Sequence, residues 1–186
     1  GILVRSLEEI GYLRQRGVKL PVYGDHNLYS FNSETMDMLL ELGCQETTFP
    51  LELNSREMGQ LFGESREMIG YGFLPAMVSA QSGCSRKPGR LIMQDRMGKE
   101  LPVENHCAYC YNIIYNPLPL SLADQMDRIR ELAPKAIRLQ FTGESPEEIR
   151  QIVAMWAKAV DESQSTGERV VAAGSFTRGH FRRGVE

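Results

Sequence analysis

Long apolar runs are missing from this chain of 186 residues. No stretch approaches the roughly 18 apolar residues that a membrane-spanning helix needs. A charged segment followed by a short apolar one, the mark of a secretory leader, is also missing. Cysteine is scarce: four in the chain are too few for a disulfide scaffold, so metal or redox use in a cytoplasmic setting is the expectation. Charge of one sign is not in excess. The net charge of −3 excludes a whole-surface nucleic-acid footprint, although a local patch stays open. Motifs such as G-x-S-x-G, H-E-x-x-H and a phosphate-cradling glycine loop are absent. With 42% hydrophobic and 24% charged residues, the chain has the composition of a soluble globular protein.

A repeating rhythm fills the first seventy residues. "GILV" reads as a short buried strand entered partway, which suggests a longer parent chain. "SLEEIGYLRQRG" predicts a helix, with Ser6 and Glu9 as a capping box and Gly17 as the stop. "VKLPVYGD" predicts the second strand, and Ser33 opens a helix through "SETMDMLLELG". "CQETTFPLEL" predicts the third strand, Asn54 and Glu57 cap the next helix, and "REMIGYG" predicts the fourth strand. Alternation at this spacing indicates parallel βα units over residues 1–72.

From Phe73 to Pro119 no long helix fits. "RLIMQD" and "ELPVEN" flank a turn at Met97-Gly98, and "YNIIYN" adds a third strand, so residues 73–119 read as a β insertion carrying Cys84, Cys107 and Cys110. The rhythm returns over 120–186 with a helix in "SLADQMDRIRELAP", a strand in "AIRLQFT" and a long helix to about Glu162. Ser145, Pro146 and Glu148 mark that helix's start. A glycine-rich, basic tail closes the chain.

The fold class expected is α/β. Five parallel strands do not close an eight-stranded barrel, and open edges need cover. The reading is the later half of a TIM-type (β/α) barrel, completed by another segment or by a second copy in a homo-oligomer.

Ligands bind βα folds at the C-terminal ends of the strands. There the sequence offers Asp25, His26 and Asn27 after strand two, Glu52 after strand three, Tyr71 in strand four and Arg138 in strand five. Asn54 reads as a helix cap. Histidine suits proton transfer near neutrality. Arginine fits a carboxylate or phosphate through its planar fork. Cys107 and Cys110, three apart in a tight turn, form one half of many thiolate metal sites, and Cys84 is a third candidate. Zinc or an iron–sulfur cluster normally takes four ligands. His106 or Cys44 is the candidate fourth, unless the cysteines are simply free thiols. In the tail, Phe176, His180 and Phe181 alternate with Arg178, Arg182 and Arg183. That pattern suits single-stranded RNA, or else is a solvated tail.

The strings "DHNLYSFN", "TTFPLELN", "YGFLPAMVSAQ", "DRMGKELPVENHCAYCYNIIYN", "IRLQFT" and "FTRGHFRRGVE" together resemble peptidase family U32, the collagenase-like proteases. The resemblance spans nearly the whole chain in order. It implies a (β/α)8 barrel lacking its early strands here. It also implies either the family's peptidase label or the oxygen-independent, iron–sulfur-dependent hydroxylation of RNA or a small aromatic substrate seen among relatives. Cys84, Cys107 and Cys110 fall on the family's cluster cysteines. Two departures stand out. Gln81 is followed by Ser82 rather than cysteine, and Tyr71 and Pro75 stand where an older signature has histidine and cysteine.

Two classes of function follow. As an enzyme on peptide or RNA, the chain would use Asp25, His26, Glu52 and Tyr71 as catalytic polars. Arg138, Arg178 and Asn27 would hold substrate, and Cys84, Cys107 and Cys110 the metal. As a non-catalytic module, it would be a half barrel with a zinc knuckle. No membrane partner is expected.

Overall fold

A computed structural model describes residues 1–61, 66–81, 89–162 and 175–183. Strand β1 (Ile2–Val4) leads into helix α1 (Leu7–Gln15), β2 (Val22–Gly24), α2 (Ser33–Glu41) and β3 (Cys44–Thr48). A single-turn helix α3 (Ser55–Met58) then precedes β4 (Arg66–Gly72). Ser6 and Glu9 make the expected capping box on α1, and Asn54 and Glu57 make the one on α3. For α2 the cap is Asn32, whose side chain accepts from Thr35 N, one residue before the expected Ser33. The second and third strands are shorter than expected, because Pro50 and the turn after it end β3 at Thr48.

A second sheet interrupts the alternation. It contains β5 (Pro75–Ser79), β6 (Gly89–Gln94), β7 (Glu100–His106) and β8 (Tyr111–Tyr115), antiparallel in the order β5-β8-β7-β6. The expected hairpin is β6–β7. Asp95 shapes its loop, the Oδ1 atom accepting from Met97 N at 2.7 Å and Lys99 N at 2.8 Å, with Gly98 at φ +78°. Strand β5 was not expected, because its exposed apolar run has no period-two pattern.

The chain then returns to the first sheet through β9 (Leu120–Ser121), α4 (Met126–Leu132), β10 (Ala136–Gln140) and α5 (Pro146–Glu162). Ser145 and Glu148 cap α5 reciprocally. Strands β1, β2, β3, β4 and β10 are parallel neighbours in that order, and β9 adds antiparallel beside the upper part of β4. The parallel sheet curls into a half-barrel. Among the described residues, β1 and β10 each have one strand neighbour, so both edges stand open.

Side chains alternate across these strands. One face meets the helices: Val4 and Cys44 bury against Ile10 of α1 and Leu39 of α2. Trp156 of α5 lies so close over β4 that a Cβ at Gly70 would stand 2.6 Å from its ring, which is why that position is glycine. The larger core gathers Phe49, Met68, Ile69, Leu122, Ile129 and Trp156. Phe181 joins it, 3% exposed, and its carbonyl accepts from Ser55 N at 2.8 Å. Thr177 bonds to the backbone of Pro119 and Ser121. The described part of the tail is therefore packed structure and not a solvated arm. Among the described residues, no helix is long and apolar enough to cross a membrane.

Candidate functional site

The opposite face of the half-barrel is charged. Tyr23 lies beside Glu46, Thr48 beside Glu67, and Arg138 beside Ile69, the residue two beyond Glu67. Asp25 follows β2 directly and caps a 3-10 turn over His26–Leu28. Its carboxylate is buried, with side-chain exposure of 0%. Four groups converge on it. Oδ1 accepts from His26 N at 2.9 Å and from an Arg138 terminal nitrogen at 2.5 Å, and lies 3.0 Å from His26 Nδ1. Oδ2 accepts from Arg5 Nε at 2.9 Å. Burial alone would raise this carboxyl, but the bonds from His26 and Arg138 and the charge of Arg138 outweigh it. They hold Asp25 well below the usual carboxylate range.

Arg138 spans two carboxylates. Its Nε lies 2.9 Å from Glu67 Oε1, out of line for a hydrogen bond, so that contact is ionic. Burial pushes the Glu67 carboxyl up, and Arg138 partly offsets this. The Thr48 hydroxyl lies 3.1 Å from the Gly24 carbonyl and 3.3 Å from Glu67 Oε1, and its single hydrogen serves one of them at a time.

These distances fix a tautomer. An ionised carboxylate only accepts, so the hydrogen between Asp25 and His26 sits on Nδ1. In the neutral ring Nε2 then carries the lone pair. Asp25 and His26 together form an oriented imidazole able to take up a proton.

The structure brings Asp25, His26 and Arg138 into direct contact, with the exposed Asn27 beside them on the same turn as His26. Glu52 lies in the turn after β3, with Oε2 buried and without a hydrogen bond among the described residues. Tyr71 is buried against Phe141, and burial with the nearby Glu144 and Glu148 carboxylates pushes its phenol up, so it holds its proton. Arg178 is committed to Asp124, its Nε and one terminal nitrogen both donating to Oδ2, and stacks over Phe176. Burial would raise the Asp124 carboxyl, yet the bond from Arg178 draws it below its ordinary value. With Phe181 in the core and Arg182 Nε donating to Gln125 Oε1, the arginine–aromatic alternation of the tail serves packing.

The Cys-x-x-Cys pair occupies a 3-10 turn, Cys107–Tyr109, that joins β7 to β8, with Cys110 in the left-handed region at φ +54°. Cys107 is disulfide-bonded, whereas Cys44 and Cys110 are free thiols. Cys44 is buried at the start of β3, at the opposite end of the strand from the candidate site, and burial raises its thiol. His106 stacks on Tyr111 at 4.7 Å and lies 3.5 Å from Glu104. Among the described residues, no three His, Cys, Asp or Glu side chains are grouped to hold a metal ion. The third expected ligand, Cys84, lies outside the described residues.

Two members of the site escaped the sequence reading. Arg5 is the first residue after β1, the strand end at which no candidate was sought. Glu67 sits within β4, and its signal was the charged pair Arg66-Glu67 inside an otherwise apolar strand. Compared with known proteins, the chain matches no family model, no curated protein and no solved structure.

Proposed function

We propose that this chain is a U32-type enzyme, a partial TIM-type barrel working at its strand ends, with His26 as the proton-transfer group. The observation that carries the reading is the buried Asp25 carboxylate 3.0 Å from His26 Nδ1, braced by Arg138. Asp25 fixes the ring and stabilises the imidazolium that forms on proton uptake. Arg138, occupied by Asp25 and Glu67, is a positioning residue. Arg5, held through Nε with its side chain 59% exposed, presents its outer nitrogens to an anionic group of the substrate. The family's peptidase label makes hydrolysis the first reaction to test. Wild type and His26→Gln are incubated with a peptide library and with single-stranded RNA, and products are read by mass spectrometry for new termini or added oxygen. Turnover lost in His26→Gln supports the reading; turnover that persists in that variant refutes it.

A second reading, a thiolate-bound iron–sulfur cluster or zinc at Cys84, Cys107 and Cys110, requires that the disulfide at Cys107 first be reduced; what favours it is the tight turn that sets Cys107 and Cys110 at one corner. The described residues do not complete such a site, and no step is derived through it. Iron with acid-labile sulfide in protein purified without oxygen, lost in Cys107→Ala and Cys110→Ala, would favour cluster-dependent hydroxylation. Zinc alone would favour a structural knuckle, and no metal would remove the reading.

A further inference from the structure

We propose that Tyr29 and Phe31 form a stacking platform for a nucleotide unit, with Arg5 as the anchor for its phosphate; the placement of the reacting atoms beside His26 rests on the reading above. Both rings are large and exposed, 53% for Tyr29 and 41% for Phe31. They are nearly parallel, with centroids 6.0 Å apart and planes 13° from coincidence. Tyr29 ends the turn that Asp25 begins, so about four residues of 3-10 rise, roughly 8 Å, separate the two positions along the turn. Tyr29 also adopts φ +50°, a backbone conformation uncommon for a non-glycine residue and concentrated at binding sites.

A built support lies under this loop. Ser30, between the two aromatics, is 1% exposed. Arg66 reaches it from within the fold, one terminal nitrogen lying 3.2 Å from the Ser30 carbonyl and 3.4 Å from its hydroxyl. Arg66 is itself fully buried, stacked over Phe49 at 5.0 Å, with Nε 3.0 Å from the Met36 sulfur. No described carboxylate pairs with it, and burial draws its guanidinium down to about 10. Burying an unpaired cation is costly. Here the cation pins the backbone between two exposed rings, so the rings are pre-set rather than adaptable.

Chemistry selects the occupant. A flat ring stacks on Tyr29 and Phe31, and an anion meets the exposed fork of Arg5. A nucleobase with its phosphate supplies both, and aromatic rings near arginine are how single strands are held. An uncharged aromatic side chain of a peptide would leave Arg5 without a role.

The test is an anisotropy titration of a short fluorescein-labelled single-stranded RNA at low salt, using the whole chain. Tyr29→Leu and Phe31→Leu are each expected to weaken binding roughly tenfold or more. Arg5→Gln is expected to weaken it and to flatten its salt dependence. Thermal midpoints equal to wild type confine the effect to binding, since both rings are exposed. Displacement by uridine monophosphate assigns the site to a free nucleotide, and displacement only by a strand assigns it to a unit within one. No RNA binding, unchanged affinity in both leucine variants, or binding of peptides instead that is lost in those variants would each overturn the proposal. The two readings fail separately. Lost binding in Tyr29→Leu with full turnover in His26→Gln removes the base and keeps the platform, and the reverse pattern removes the platform alone.

Discussion

Arg138→Met tests the architecture of the charged face. The guanidinium serves two carboxylates, Asp25 with a side chain 0% exposed and Glu67 at 26%. Methionine fills a similar volume but carries no charge, so both acids lose their main counter-ion. Removing one partner of a buried pair costs about 3–5 kcal/mol. The lower end applies, because Arg5 and His26 still reach Asp25. With a urea slope of about 1–3 kcal/mol per molar, the unfolding midpoint should fall by roughly 1–3 M at pH 7. The pH dependence is diagnostic. In the wild type Asp25 titrates below its unfolded value of about 3.9, so its stabilisation is complete above that value and is lost as the pH falls through the lower folded value. In the variant, Glu67, already raised by burial in the wild type, rises further, and Asp25, still bonded by His26 and Arg5, rises from its depressed value. The cost relative to the wild type is present at pH 7 and is relieved as the pH falls through these higher values. The stability gap between the two proteins should therefore narrow from pH 7 towards pH 4. Urea unfolding followed by circular dichroism at both ends of that window measures it. A cost under about 1 kcal/mol, or a gap that does not change with pH, would refute the reasoning.

Phe181→Ala should cost about 3–5 kcal/mol, because the ring is buried in the main core, and should expose the tail to limited proteolysis; equal stability would contradict the docked tail. Gly70→Ala should cost about 1–3 kcal/mol and shift the emission of Trp156, the chain's single tryptophan, since the new Cβ meets both that ring and Ile137. Asn54→Ala should cost about 1 kcal/mol in urea unfolding, because the Asn54 side chain accepts from both Arg56 N and Glu57 N.

The elements legible in the sequence were those whose signals are local. The α5 start at Ser145, the α3 capping box, the Met97-Gly98 turn and the "REMIGYG" strand need only a few neighbouring residues to be recognised. Asp25 and His26 were found because they directly follow a strand. Their grouping with Arg138, more distant along the chain, follows from the general strand-end rule. What stayed hidden depended on tertiary burial. The tail's arginine–aromatic alternation is the same string whether Phe181 faces solvent or the core, and only the docking against β4 and Ser55 decides. Arg66 looked like any strand-initial charge, although it is fully buried. Strand β5 lacked alternation because most of its side chains remain exposed.

The bond from Ser55 to Phe181 ties two parts of the chain that are far apart in sequence. The core around β4 is therefore closed last by a contact of very long loop length. Contacts of that kind are entropically late and slow the approach to the native state. While the polypeptide is being made, Phe49, Leu53 and Met58 remain without their final cover until Phe181 has emerged. A chain shortened before that residue would thus be expected to linger as a partly folded, aggregation-prone species.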